Sequence, residues 1–248
     1  MKILLTGVTG YIAQRLLPVL LENGHEVICC VRDKNRFNRK KYTNSNLRVV
    51  EADFLKKSSL KEIPNDIDIA YYLIHSMSTQ SGDFENMEEL CAENFKNRIE
   101  QTNVKQVIYL SGIDNAAELS KHLSSRKNVE TILRDSKFAL TTLKAGIIVG
   151  SGSASFEIIR DLVEKLPFMI TPRWLKTRCQ PIAIRNVVEF LERVIGKSET
   201  YNKSYDIGGP DILSYKEMLL RFAKIRGLKR RILIVPVMTP KISSYWLY

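Results

Sequence analysis

The chain opens on KILLTGVTGYIA, an apolar strand running into two glycines and then into a helix, and few folds accommodate that order. Glycine at positions 7 and 10 lets the backbone turn sharply and approach a bulky anion, while the helix that follows points its free amides and positive end at the same place. Ala13 takes the third small position, where helix and strand must pack closely. The turn is therefore predicted to hold the diphosphate of a dinucleotide on Gly7, Thr9, Gly10, Tyr11 and Ile12. The apolar run is interrupted by Thr6, Gly7, Thr9 and Gly10, which argues against a signal peptide and for a buried strand.

Short apolar runs alternate with amphipathic stretches up to about Val149: ILLT, EVICCV, RVVE, IDIAYYLI, QVIYLS and ALTTLKAGII read as strands covered on both faces. Tyr11 to Asn23, closed by Gly24 and expected to kink at Pro18, reads as a helix, as do Asn86 to Thr102 and Arg126 to Asp135. The fold class predicted is α/β, a Rossmann-type doubly wound parallel sheet with a small C-terminal substrate-side subdomain. The core is expected over residues 1–150 and the smaller region, with elements returning to the core, over 151–248. In that region SGSAS reads as a flexible connector and LPFMITPRW as irregular. Phe156 to Leu166, Val187 to Ile195 and Tyr215 to Arg226 read as helices, and SYDIGG as a strand ending in a turn.

Cofactor choice is read at the tip of the second strand, about 20 residues beyond the glycines, where NAD enzymes place an acid on the ribose. Arg32 stands there, and a guanidinium suits the 2′-phosphate of NADP. Asp33 beside it keeps NAD open. At the end of the third strand, Asp53 is a candidate acceptor for the adenine amino group or a local cap, and Phe54 a neighbour of the ring. Leu73, Ile74 and His75, followed by Ser76, end the fourth strand at the edge where ligands of such sheets lie.

TGVTGYIA, YYLIHSM, the AENFK helix, VIYLSGI, LKAGIIVGSGSASFE, QPIAIRNV and SYDIGGPDILSY together resemble atypical and extended short-chain dehydrogenase/reductases of the NmrA-like and NAD-dependent epimerase/dehydratase type. The likeness extends to a group of uncharacterised bacterial NAD(P)-binding proteins that often carry a further C-terminal domain. The resemblance implies a serine after the fifth strand and a Tyr-x-x-x-Lys pair on the next helix. Ser111 matches the serine. The pair falls instead on His122 and Arg126, which share a helix face with Val129 and Leu133. Histidine can exchange a proton near neutral pH, whereas arginine cannot act as a base. Two functions therefore stay open: an NADP-dependent reductase or isomerase of a small carbonyl or quinone, with its mouth at Ser111, His122, Gly146 and the loop after Gly150, or a non-catalytic NAD(P)-binding redox sensor acting on a regulatory partner. A third role, a structural subunit with the cofactor as folding support, ranks below both. Arg178, Gln180, Pro181 and Trp174 are candidates to line the substrate space or to pack.

The formal net charge of +11 raises the question of nucleic acid, but the basic runs around Arg36 to Lys41 and Arg226 to Arg231 lack interleaved aromatics, so nucleic acid is disfavoured. Cys29, Cys30, Cys91 and Cys179 lack the paired spacing of a zinc site or dithiol, and no metal is expected. No apolar stretch reaches the ~20 residues a membrane crossing needs, so a cytoplasmic protein is expected. A homo-oligomer, and the part played by the YWLY tail around Trp246, stay open.

Overall fold

Apolar strands without polar alternation need cover on both faces, and here they form a wholly parallel sheet. In this computed structural model residues 1–42, 44–75, 84–114 and 121–235 are described, without the side chains of Phe84, Lys121 and His122. The strands are β1 (Lys2–Leu5), β2 (Glu26–Val31), β3 (Leu47–Glu51), β4 (Ile69–Tyr72), β5 (Gln106–Gly112), β6 (Ala139–Ala145) and β11 (Lys203–Ile207). They lie in the order β11-β6-β5-β4-β1-β2-β3. The order reverses between β1 and β4, and in doubly wound sheets ligands bind at the carboxyl ends of the strands flanking that reversal.

Helix α1 (Tyr11–Glu22) links β1 to β2 and runs on through Pro18. Gly24, at φ +77°, follows its end, where a left-handed residue closes the helix as expected. Helices α2 (Phe84–Ile99) and α3 (Lys121–Arg134) share one face of the sheet: Phe95, Val129 and Leu133 are buried with Leu4, Ala70, Tyr72, Val107 and Tyr109. On the other side of β4, the Tyr71 hydroxyl donates to the Leu191 carbonyl at 2.7 Å in α5 (Ile184–Arg193). Gln106 is wholly buried yet satisfied: its amide donates to Thr141 and to the Val194 carbonyl, and its oxygen accepts from Gly196. One side chain thus ties the end of α5 to two strands.

The chain divides into two compact units. The larger holds the sheet and comprises Met1–Ala145 and Arg185–Ile207. The smaller comprises Gly146–Ile184 and the described residues from Gly208 onward. In it, α4 (Ala154–Lys165) and α6 (Tyr215–Ile225) bury Ile159, Val163, Met218, Leu219 and Ala223 together. Three short strand pairs surround them: β7 (Ile148–Val149) with β10 (Ile182–Ala183), β8 (Phe168–Pro172) with β13 (Arg231–Val235), and β9 (Arg178–Cys179) with β12 (Leu213–Ser214).

Several local expectations need correction. LPFMITPRW is not irregular, because its centre pairs with Arg231–Val235, and its prolines fall before and at the end of the strand, where a missing amide costs little. SGSAS is a connector only to Ser153, whose side chain accepts from Phe156 N and starts α4. The run ALTTLKAGII breaks after Ala145, and Ile148–Val149 joins a different sheet. Helix α3 begins at Lys121, five residues before the expected start, and α2 ends at Ile99.

Candidate functional site

The turn after β1 is built from backbone. Gly7 has φ +65°, and a Cβ there would lie 2.3 Å from the Leu73 carbonyl oxygen, so no larger residue fits. Gly10 N donates to Gly7 O at 2.8 Å and closes the turn. Gly10 caps α1 with no side chain, and the first turn holds no acid, so nothing in the helix itself answers its leading amides. Exposed Thr9 uses its carbonyl to accept from Gln14, Ile12 is half-buried, and Ala13 packs against the sheet at 1% exposure. The Tyr11 ring lies 4.8 Å from the Arg15 guanidinium, and its hydroxyl is buried with no partner among the described residues. Thr6 ties this turn to the end of β4, donating to Tyr71 O at 2.7 Å and accepting from Leu73 N at 3.0 Å. Leu73, Ile74 and His75 therefore run beside the glycines. Uncapped amides, a close-approach glycine and an orphaned hydroxyl all fit a dinucleotide.

At the tip of β2, Arg32 is exposed and enters no ion pair among the described residues. Asp33 caps the next turn through Asn35 N at 2.9 Å. Asp53 makes the same kind of local bond to Leu55 N at 3.1 Å, so one of its oxygens serves as a cap. Phe54 turns inward: it is 4% exposed, its ring meets Phe95 and its carbonyl accepts from Asn94 at 2.7 Å. Arg39 is occupied too, donating to the carbonyls of Tyr42, Asn44 and Leu47. Arg230, in the other basic run, likewise donates to Val163, Glu164 and Lys229 carbonyls, so part of the positive charge is structural.

Further along the carboxyl edge, Ser111 ends β5 almost buried. Arg126 donates to the Leu110 carbonyl at 3.1 Å, which fixes one arm of its guanidinium on the serine strand. Tyr109 joins the two: its hydroxyl donates to Arg126 O, burial pushes its phenol up, and the Arg126 charge and a hydrogen bond from Ser111 pull it back. Val129 and Leu133 are buried as expected on the α3 face, whose backbone includes His122; the His122 side chain lies outside the described residues, as do Ser76 and Trp246.

Sequence reasoning missed what lies between α2 and α3. Glu88 is 4% exposed, accepts from Ser125, and pairs with His75 Nδ1 at 2.9 Å. A second network joins Lys144 to Asp114 at 2.9 Å and to Glu130 at 3.1 Å. Burial opposes the charge of Glu130, but hydrogen bonds from Ser204, Arg134 and Lys144 outweigh it and hold the carboxyl below its usual range.

In the smaller unit, Trp174 is 58% exposed and meets Tyr215 edge-on. Arg178 is exposed on β9. Gln180 and Pro181 brace the Gly208–Gly209 turn: Gln180 donates to Gly209 O, and Pro181 O accepts from Gly209 N at 3.0 Å. Gly146 and the residues after Gly150 belong to this unit. The cysteines are free, and burial pushes the thiols of Cys29 and Cys30 up to about 12, too high for a nucleophile. Among the described residues no three His, Cys, Asp or Glu side chains gather as a metal site, and no helix is long and apolar enough to cross a membrane.

A family model described as NAD(P)H-binding matches residues 7–158. The chain is 22% identical to a divinyl chlorophyllide a 8-vinyl-reductase of Arabidopsis thaliana, across 95% of this chain and 60% of that protein. It is 27% identical to cinnamoyl-CoA reductase 1 of Petunia hybrida, across 80% and 62%. The chain thus spans about 60% of the length of these curated relatives. Among solved structures it matches a nucleoside-diphosphate-sugar epimerase from Staphylococcus aureus with a TM-score of 0.80 at 17% identity, covering 99% of this chain and 84% of that one. At that identity the likeness shows the fold alone, and the fold is the Rossmann type expected.

Proposed function

We propose that this chain, which belongs to the NAD(P)H-binding family and is of the short-chain dehydrogenase/reductase kind, is an NADP-dependent reductase or isomerase of a small carbonyl or quinone compound. The observation that carries the reading is the side-chain-free amino end of α1 behind a glycine that the Leu73 carbonyl keeps from growing. In this reading the amides from Gly7 to Ile12 hold the diphosphate, the exposed Arg32 receives the 2′-phosphate, and Leu73 and Ile74 line the ribose through their backbone. Bound reduced nicotinamide supplies a hydride. Ser111, the Arg126 guanidinium and, on the same helix, His122 bind and orient the substrate oxygen. The two named relatives are reductases, which supports hydride chemistry without indicating a substrate. Free thiols are in keeping with a cytoplasmic protein.

The test is calorimetry with NADPH and NADH, followed by NADPH oxidation with a panel of quinones, aldehydes and ketones for the wild type and His122→Ala. Tighter NADPH binding and turnover lost in the variant are expected. Absence of binding by either dinucleotide overturns the reading. One observation favours the redox-sensor alternative: Arg126 already donates to a main-chain carbonyl. Tight NADPH binding with no turnover across the panel would establish that alternative.

A further inference from the structure

A carboxylate buried at the carboxyl edge of a parallel sheet needs a reason, because taking it out of water is costly unless partners compensate. Glu88 is met by side chains from two other segments. Ser125 on α3 donates to Oε2, and His75, three residues beyond β4, meets Oε1 through Nδ1 at 2.9 Å. Three separate segments thus meet at one carboxylate, and the imidazole on it keeps 23% of its side-chain surface exposed. The imidazole stands beside the reversal between β1 and β4, in the segment whose Leu73 carbonyl packs on Gly7.

With the carboxylate accepting, Nδ1 carries the hydrogen of the neutral ring, and Nε2 becomes the nitrogen that gains and loses a proton. The other groups described at this edge do not match it. Arg126 stays charged, buried Ser111 is bonded to Tyr109, and Tyr109 is a core phenol whose acidity burial suppresses.

We propose that His75 is the acid–base residue of this site and that Glu88 is its positioning residue. The inference rests on the reductase reading. In the reducing direction the carbonyl carbon accepts a hydride from NADPH while the carbonyl oxygen takes the proton from His75 Nε2. The products are an alcohol, NADP+ and a neutral imidazole still held through Nδ1–H. Reversal oxidises the alcohol and returns the proton to Nε2.

Three histidines make the experiment tractable, since each imidazole is assigned by replacing one residue at a time. Nitrogen-15 spectra of the full chain with its imidazoles neutral should show Nδ1–H as the dominant His75 tautomer, the minority form of free histidine. Glu88→Leu, which removes the acceptor from both Ser125 and His75, should return the ring to mainly Nε2–H. On titration with NADP+, the His75 Nε2 signal should move along the same saturation curve as the Gly10 amide. A wild-type His75 that is mainly Nε2–H overturns the proposal even if Glu88→Leu fails to fold. So does a His75 signal that stays still while the Gly10 amide moves. If neither moves at saturating NADP+, the cofactor reading has failed, and the tautomer measurement still decides whether Glu88 positions His75.

Discussion

The two ends of this carboxyl edge are made from different material. Around Gly7 and Gly10 the working groups are amides, held by main-chain bonds and by the absence of side chains. Between α2 and α3 they are side chains: Glu88 holds His75 and Ser125, and Arg126 is anchored on the Leu110 carbonyl. A backbone site fails sterically and at once, whereas a side-chain site loses one function at a time. Gly7→Ala separates them most sharply. An L-residue at φ +65° costs about 1–2 kcal/mol in backbone conformation, and the 2.3 Å approach to Leu73 O adds a clash that main chain cannot relieve. We expect a loss of ~3 kcal/mol or more, a fall in Tm on the order of 6–12 °C for a chain of this size, and no measurable NADPH binding. A stable variant that binds NADPH normally would remove the distinction.

The backbone end was legible because glycine is itself the signal: the spacing of Gly7, Gly10 and Ala13 says where a chain must turn and approach, whatever the neighbours are. The strands from β1 to β6 were legible for a similar reason, since burial on both faces leaves unbroken apolar runs. The side-chain end joins positions 75, 88 and 125, and no local pattern links them. One clue was present. Glu88 falls on the helical face of α2 that carries Cys91, Ala92, Phe95 and Ile99, and an acid inside an apolar stripe asks for buried partners. Phe54 shows the opposite limit, because its position after β3 suggested a ligand neighbour while its contacts lie with Phe95. The strand at Phe168–Pro172 was hidden because its partner, Arg231–Val235, lies more than sixty residues onward.

Arg32 belongs to neither kind, being an exposed side chain at a strand tip with no structural ion pair among the described residues. Arg32→Ala should leave Tm within about 1 °C, as surface changes usually do. It should weaken NADPH by ~10–100-fold, the worth of a charged hydrogen bond of about 1.5–3 kcal/mol. NADH should change by less than about threefold. Equal losses for both dinucleotides, measured by calorimetry, would place Arg32 on a part of the cofactor they share.

Glu130 tests the side-chain end through pH. Its folded carboxyl lies below the usual range because the bonds from Ser204, Arg134 and Lys144 outweigh the opposing burial. Asp114 is lowered as well, chiefly by its bond to Lys144. A lowered folded value means that the stabilisation is complete above the unfolded value of about 4.3 and is lost as pH falls through the folded one. Glu130→Gln should therefore cost about 1–2 kcal/mol near neutral pH, and denaturant melts of the two proteins should converge in acid. A gap that stays constant down to acid pH would mean that packing, not charge, sets the contribution of Glu130.

The smallest effect isolates what Gly7 adds beyond its dihedral. Gly24 shares the left-handed conformation, at φ +77°, but a Cβ there would meet nothing within 4 Å. Alanine pays the conformational cost of about 1–2 kcal/mol, and stiffening of the unfolded chain returns about 0.4–1 kcal/mol of it. Gly24→Ala should thus cost no more than about 1.6 kcal/mol, a few degrees in Tm, with NADPH affinity unchanged. If it destabilised the protein as much as Gly7→Ala, dihedral strain alone would explain both. The Leu73 carbonyl would then have no special part in shaping the turn.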